Sequence, residues 1–207
     1  MDNLLENLYH LTNVENCKQI LLDGKIRPRN HGDIATNVGG GTLMPGNFSH
    51  CNFCPKAPML WNLYQGRCWS ADNIYGQTDA AYLELALPVI IFNLNLCQDN
   101  GFTVTDSDIS VNGYRWKQLK GDDFDQGMGA IEGFVDVSEI NKDVNTIDAV
   151  EHPKKGAEFI VEGEINLEGA VLSIGVHESA AKNRLLNDKT ISRLYGDKVL
   201  IKPEWYF

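Results

Sequence analysis

The chain has 207 residues, of which 43% are hydrophobic and 22% charged, and its formal net charge at pH 7 is −10. These values are typical of a globular protein, and no stretch approaches the roughly 20 apolar residues of a membrane-spanning helix. The length predicts a single domain over residues 1–207 with its own core, and we expect a monomer without a membrane partner. The acidic charge excludes long-range, non-specific attraction to nucleic acid, so a nucleic-acid partner must be met at a local site.

The N-terminal ten residues lack the basic region and apolar run of a secretory signal, which predicts a cytoplasmic protein. Cysteine usage agrees with this, because five cysteines are an odd number and too sparse for a disulfide scaffold. We therefore expect reduced thiols at Cys17, Cys51, Cys54, Cys68 and Cys97.

The first elements in chain order are a strand and a helix. Residues 7–10 alternate in polarity, as in a short strand. A helix is predicted from Thr12 to Asp23, because Thr12 and Glu15 have the spacing of a capping box and Gly24 supplies a stop. Its apolar face is formed by Val14, Cys17, Ile20 and Leu21.

His10 and Thr12 therefore lie where a strand leads into a helix N-terminus, and free amides there favour an anion or phosphate. His10 could hydrogen-bond a ligand carbonyl or a ribose hydroxyl. A buried histidine satisfied by the backbone is the more common alternative.

Residues 24–53 contain six glycines and two prolines and show almost no apolar period, which predicts a long loop. The glycines at 39–41 lack the Lys-Ser/Thr ending of a P-loop and indicate flexibility only. Arg27 and Arg29 flank a proline, and their guanidinium groups suit pyrophosphate. Two solvent-facing arginines are an equally good interpretation.

The segment His50–Cys54 has CxxC spacing and could form a zinc site with Cys68 or His31. Because there is no second CxxC, buried or inert thiols are favoured and no metal is expected.

Beyond this segment, residues 58–64 predict a short helix or turn, and residues 80–96 fit two strands or a strand and a helix. Residues 103–148 are acidic and polar, which predicts a second loop-rich excursion. Aromatic residues that could stack on bases are more often part of the core, and they are Trp61, Tyr64, Trp69, Tyr114 and Trp116.

Regular structure is predicted again from residue 157. Residues 157–162 and 169–176 are apolar runs separated by a glycine-containing turn, which is typical of a hairpin. A helix is expected over residues 179–186 and a strand over 198–201.

Glu158 is a carboxylate in this apolar run, on the strand face opposite to Phe159 and Val161. If that face lines a cleft, the carboxylate suits chemistry in which positive charge develops on a sugar ring. Taken alone, a solvated strand face or a structural ion pair is favoured.

Four segments in order resemble the DarT family of ADP-ribosyltransferase toxins, which modify bases in single-stranded DNA. Residues 9–21, YHLTNVENCKQIL, resemble the family's YHIT-x-x-x-N-x-x-x-I-L opening. Residues 54–60, CPKAPML, resemble its PRSPML segment, and residues 156–161, GAEFIV, its AE-[FV]-LV strand. The ending KPEWYF at 202–207 resembles its (R/K)PDWYF.

The resemblance implies an α+β fold, a single ADP-ribosyltransferase-like domain with a central, mostly antiparallel sheet and peripheral helices. It implies NAD as substrate, single-stranded DNA as acceptor and a macrodomain-type antitoxin as partner. Glu158 becomes the catalytic glutamate. The implied NAD-binding residues are His10, Leu11, Thr12, Gln19 and Arg27, and possible base or NAD contacts are Arg29, Lys56, Met59, Arg67 and Trp116.

The chain departs from the family's pattern in one place. Residues 30–55 contain no arginine, whereas the family has one in the loop that covers NAD. Arg27, Arg29 or Arg67 are candidate replacements, and the accepting base is thymine or guanine. The alternatives are ADP-ribosylation of RNA or protein, and a degenerate relative that binds nucleotide without turnover.

Overall fold

A computed structural model describes residues 5–28, 47–56, 87–97, 100–107, 115–119, 131–142 and 152–206. The strands are β1 Asn7–Leu11, β2 Lys25–Ile26, β3 Phe48–Asn52, β4 Val89–Asn93, β5 Phe102–Thr105, β6 Trp116–Leu119, β7 Glu158–Glu162, β8 Ile165–Asn166, β9 Val171–Val176 and β10 Val199–Ile201. The α-helices are α1 Val14–Asp23, α2 Val137–Ile140, α3 Ser179–Leu186 and α4 Lys189–Tyr195, and the 3-10 segments are Leu94–Cys97, Pro153–Gly156 and Pro203–Trp205.

The strands of the described ranges form one large sheet and a small one. The large sheet has the order β10-β9-β4-β1-β3-β7-β5-β6, and β2 pairs with β8. Among the described strands of the large sheet, β9 and β10 pair in parallel and all the other pairs are antiparallel. The predicted α+β class with a central, mostly antiparallel sheet is confirmed.

Helix α1 was predicted with nearly correct bounds but with the wrong cap. The Asn13 side chain accepts a hydrogen bond of 2.8 Å from the Asn16 backbone N, so Asn13, and not Thr12, is the N-cap. At the other end Gly24 adopts a φ of 67°, which only glycine reaches at little cost, and it ends the helix as predicted. The four predicted apolar residues of α1 are all buried.

The predicted hairpin is wrong, although both of its strands exist. β7 pairs with β3 and β5, whereas β9 pairs with β4 and β10. Gly163, at a φ of 84°, does turn the chain after β7. The turn leads into β8, which joins β2 in the small sheet. A local turn signal fixes where a strand ends, but long-range burial selects its neighbour.

The two predicted loops contain regular structure. β3 lies in the first, where Ser49 and Cys51 are buried although neither is a strong strand former. β5, β6 and α2 lie in the second. Of the predicted segment 80–96, residues 80–86 lie outside the described ranges, and in the rest the strand β4 is followed by a 3-10 segment. The predicted helix α3 and strand β10 are confirmed, whereas α4 was not predicted, and residues 58–64 lie outside the described ranges.

The described cysteines are free and buried at positions 17, 51, 54 and 97, as expected for reduced thiols, and Cys68 lies outside the described residues. Burial raises the pKa of the Cys54 thiol to about 11 and that of Cys97 to about 12, so both are protonated at neutral pH. No helix in the described ranges is both long and apolar enough to cross a membrane.

The C-terminal residues pack on the strand β9. The Tyr206 hydroxyl lies 2.7 Å from the Leu87 carbonyl oxygen and 3.2 Å from that of Gly175, and it is the donor in both contacts. The indole of Trp205 covers Gly175 so closely that a Cβ there would overlap the ring. The ring of Trp205 also packs edge to face on the ring of Tyr9, with 6.2 Å between the ring centroids. Through Trp205, the last 3-10 segment therefore packs against both β9 and β1.

Candidate active site

Glu158 begins β7 at a point where four strands align side by side. Asn52 of β3 is directly opposite Glu158, and Tyr9 of β1 is directly opposite Asn52. On the other side, the Glu158 backbone N donates a hydrogen bond of 2.8 Å to Thr105 Oγ1 of β5. Directly paired residues of antiparallel strands project to the same face. Tyr9, Asn52 and Glu158 therefore form a row across the sheet.

The alternation predicted for β7 is confirmed. Phe159 and Val161 belong to the main hydrophobic core, whereas Glu158 projects to the other face. The side chain of Glu158 is 14% exposed to solvent, so the carboxylate is shielded but accessible.

His50 of β3 contacts the carboxylate directly. Its Nδ1 lies 2.8 Å from Glu158 Oε2, and the His50 side chain is 23% exposed. An ionised carboxylate only accepts hydrogen bonds, so Nδ1 carries the proton and Nε2 remains as the second functional atom of the ring. His50 and Glu158 form a hydrogen-bonded imidazole–carboxylate pair on the accessible face of the sheet.

His10 is joined to the same pair through the backbone. Its Nδ1 donates to the His50 carbonyl oxygen at 3.0 Å. Burial lowers the pKa of His10 to about 4, against the smaller raising effect of this hydrogen bond. His10 is thus a neutral imidazole near pH 7, with Nε2 as an acceptor. The two histidines connect the start of α1 with Glu158.

Among the described strands, β3 pairs over a much shorter length with β1 than with β7. Within the described residues β1 and β3 pair at Tyr9 and Asn52, whereas β3 pairs with β7 along its whole length. Asn52 Oδ1 is buried there and accepts no hydrogen bond from the described residues. A ligand N–H would satisfy this acceptor.

The other predicted residues occupy diverse positions. Leu11 and Thr12 are buried, and the Thr12 backbone N donates to the Pro88 carbonyl oxygen at 3.1 Å. Gln19 lies partly buried on α1, and Lys56 is partly buried four residues after β3. Trp116 is 59% exposed on β6. Arg29, Met59 and Arg67 lie outside the described residues.

Arg27 lies in a charged cluster beside the small sheet. Its Nη1 donates to Asp23 Oδ2 at 2.8 Å, and its Nε lies 3.5 Å from Glu164 Oε1. Lys25 is 2.9 Å from the other oxygen of the same Glu164. In this arrangement Arg27 links the end of α1 to the residue before β8.

His50 and Asn52 were not predicted as site residues, because their segment has CxxC spacing and lies in a predicted loop. The alternation His50, Cys51, Asn52 was the available signal, since it puts the two polar residues on one face and the thiol on the other. Cys51 and Cys54 are both buried, and the described ranges contain no group of His, Cys, Asp or Glu arranged to hold a metal.

Lys155 fixes the backbone just before Glu158. The side chain is buried, and Nζ donates to the Ile140 and Lys142 carbonyl oxygens at the end of α2, both at 2.7 Å. Its own carbonyl oxygen accepts a hydrogen bond from Cys54 Sγ at 3.7 Å. Lys155 thereby ties α2 and the end of β3 to the entry of β7.

Replacing Lys155 with Met should lower the free energy of unfolding by about 2 kcal/mol, because the two carbonyls lose a charged donor inside the protein. Urea unfolding followed by circular dichroism measures this change. Lys154→Met is the matched control, since Lys154 is exposed and pairs only at the surface with Asp136. Equal stability of the two variants would show that the buried hydrogen bonds of Lys155 contribute nothing.

The chain is similar to known proteins in both sequence and structure. The sequence model described as "DarT: ssDNA thymidine ADP-ribosyltransferase, DarT" matches residues 9–207. A comparison with curated proteins found no match. Among solved structures, "Thermus sp. 2.9 DarT in complex with NAD+" has a TM-score of 0.71 at 18% identity, with 98% of each chain covered.

Two further structures share the fold. "Thermus sp. 2.9 DarT in complex with ADP-ribosylated ssDNA" has a TM-score of 0.70 at 17% identity, with 98% of this chain and 97% of that chain covered. "Thermosipho africanus DarTG in complex with ADP-ribose" has a TM-score of 0.60 at 14% identity, with 98% of this chain and 51% of that chain covered. Because the family match extends over nearly the whole chain, this protein belongs to the DarT family of single-stranded-DNA thymidine ADP-ribosyltransferases.

Proposed function

We propose that the chain transfers ADP-ribose from NAD to a base of single-stranded DNA, with Glu158 as the catalytic carboxylate. The observation that supports this most is the Glu158 carboxylate itself, which is shielded, accessible and held at 2.8 Å by His50. NAD as donor agrees with the family assignment and with the NAD+ complex of the Thermus protein.

The reaction needs a negative charge beside the ribose. When nicotinamide leaves, positive charge develops on the ribose C1″ and its ring oxygen, as in glycoside hydrolysis. A carboxylate already fixed by the protein stabilises that charge without reorganising during the reaction. Glu158 is fixed through the His50 ring and through the hydrogen bond from its own backbone N to Thr105.

His10 is the best-supported NAD contact. Its Nδ1–H is used by the His50 carbonyl oxygen, and its pKa of about 4 keeps the ring neutral. Nε2 is then suited to accept a hydrogen bond from a ribose hydroxyl, as the resemblance implied. Leu11, Thr12, Gln19 and Arg27 remain predicted NAD contacts.

The position and exposure of Trp116 support a role as a base contact. It pairs with Thr105 in the β5–β6 ladder, and Thr105 is bonded to the Glu158 backbone. Two strand spacings of about 4.8 Å separate β6 from β7, so the backbone of Trp116 lies roughly 10 Å from that of Glu158 across the sheet. With 59% of its surface exposed, Trp116 can stack on a base.

The neighbours of Trp116 bring local positive charge to an acidic protein. Arg115 and Lys117 are both exposed, although Arg115 is partly neutralised by Asp106 at 2.6 Å. These side chains are the local basic site that the net charge of −10 requires of a DNA-binding protein. Thymine is the favoured acceptor because of the family description, and guanine remains the second candidate.

We also propose that the chain is the monomeric, cytoplasmic toxin of a toxin–antitoxin pair, with a macrodomain-type antitoxin as partner. The likeness to the Thermosipho africanus protein named DarTG supports such a pair. Expression of the wild-type chain should arrest bacterial growth, whereas Glu158→Gln should be tolerated. Growth unaffected by active wild-type protein would contradict a role as toxin.

The proposed activity is tested with NAD and single-stranded oligonucleotides that contain one candidate base each. Mass spectrometry should detect an ADP-ribose adduct on the thymine oligonucleotide, and not on duplex DNA, RNA or protein. An adduct on guanine alone would change the acceptor but keep the reaction. The absence of an adduct on every oligonucleotide would reject the proposed transfer to DNA.

A further inference from the structure

We propose that His50 takes part in the reaction together with Glu158. The Nδ1–H group of His50 orients the Glu158 carboxylate, and Nε2 of His50 accepts the proton that the target base loses. This inference rests on the proposed function of Glu158. It is carried by the 2.8 Å contact between the two side chains and by the partial exposure of both.

The reaction releases one proton at the acceptor. The glycosidic bond between ribose C1″ and the nicotinamide nitrogen breaks, and its electron pair leaves with neutral nicotinamide. A bond forms between C1″ and a base nitrogen, which must lose its hydrogen as a proton to become neutral. His50 Nε2 takes that proton and passes it to water afterwards.

The order of these charges fits the imidazole–carboxylate pair. While His50 is neutral, Glu158 retains its full negative charge for the ribosyl cation. As the new bond forms, that cation disappears and the carboxylate becomes the counter-ion of the newly formed imidazolium. Opposite charges in direct contact favour the charged form of both groups. Glu158 thus stabilises two positive charges, one after the other.

Three neighbours of His50 have pKa values that are shifted away from neutral pH. On β1, His10 has a pKa of about 4 and the pKa of Tyr9 is raised by burial, so both are neutral. On its own strand, burial raises the pKa of the Cys51 thiol. On β7 the facing groups are Glu158 and the exposed Glu162, which is paired with Phe48 at the other end of the strand.

Two substitutions of His50 separate its role as a hydrogen-bond donor to Glu158 from its role as a proton acceptor. Asn places an amide N–H near the position of Nδ1, so His50→Asn keeps a donor for Glu158 and removes the proton acceptor. His50→Ala removes both. His152→Asn is the matched control, since His152 also faces a glutamate, Glu139 at 3.9 Å, outside the site.

The experiment measures adduct formation on the oligonucleotide between about pH 5 and 8, where histidines change charge. Wild type and His152→Asn should lose activity as the pH falls, because a general base acts only in its unprotonated form. His50→Asn should be slower by about 10²-fold or more at pH 8, with a nearly flat profile. Carba-NAD+ should bind to it with a Kd within about threefold of wild type, which shows an intact site. Added imidazole should restore part of the activity of His50→Ala.

The inference would be overturned, and the proposed function left in place, if His50→Asn lost activity at low pH as the wild type does. Wild-type activity of His50→Asn would have the same consequence. Failure of imidazole to restore any activity to His50→Ala, together with a steep profile in His50→Asn, would assign His50 a structural role only. Loss of carba-NAD+ binding in His50→Asn would also reject it. An inactive wild-type protein would instead reject the proposed function.

Discussion

Replacing Glu158 with Gln is expected to lower ADP-ribosyl transfer by about 10³-fold or more at saturating NAD. The amide has nearly the same shape, and it can still receive the His50 Nδ1–H. It carries no negative charge, so the ribosyl cation loses the electrostatic stabilisation that a fixed group supplies in the transition state. Binding of NAD in the ground state should change much less, because the positive charge that Glu158 meets exists only during the reaction.

The rate of adduct formation and the Kd of carba-NAD+ separate these two effects. Glu162→Gln is the matched control, because Glu162 ends the same strand on the same face and is exposed. The control should retain wild-type activity. A Glu158→Gln variant that turns over at the wild-type rate would remove Glu158 from the mechanism. Loss of activity in both variants would indicate a general effect of charge on DNA binding.

Replacing Gly175 with Val is expected to lower the free energy of unfolding by about 3 kcal/mol. Valine suits a strand, so backbone preference is not the cause. The cost arises because the Trp205 indole already occupies the space of a Cβ at Gly175. Either β9 shifts or the ring leaves. In the second case Trp205 also loses its contact with Tyr9, beside Asn52 in the row that contains Glu158.

A double-mutant cycle tests this cause. Trp205→Ala removes the ring, so Gly175→Val should cost less than about 1 kcal/mol in that background. Thermal unfolding of the four proteins measures the coupling, and each kcal/mol should shift the Tm by roughly 2–4 °C at this chain length. An equal cost in both backgrounds would show that Trp205 is not what the valine meets.

Sequence patterns predicted the parts of the fold that depend on neighbouring residues. The apolar face of α1 and its stop at Gly24 follow from helical spacing and from the left-handed conformation of one residue. The strands β7, β9 and β10 follow from β-branched runs. β3 was missed because its residues, FSHCN, have no such run and form a strand through burial between β1 and β7.

Some residues of the candidate site could likewise be predicted from local sequence, and others could not. The polar anomaly at Glu158 and the position of His10 before a helix were visible in the sequence, and the family resemblance gave both a role. His50 was not predicted as a site residue, although it begins the CxxC segment. Its partner is 108 residues away in the chain, and their contact of 2.8 Å exists only because β3 pairs with β7.

By itself, the sequence determined the family, the reaction class, the catalytic candidate and the mostly antiparallel sheet, because ordered motifs and local periodicity are properties of the chain. Only the tertiary structure decided the strand order, the replacement of the predicted hairpin by two separate pairings, and the joining of His10 and Glu158 through His50. Strand pairing between distant segments depends on burial on both faces of the sheet, so a local sequence pattern does not predict which strands pair.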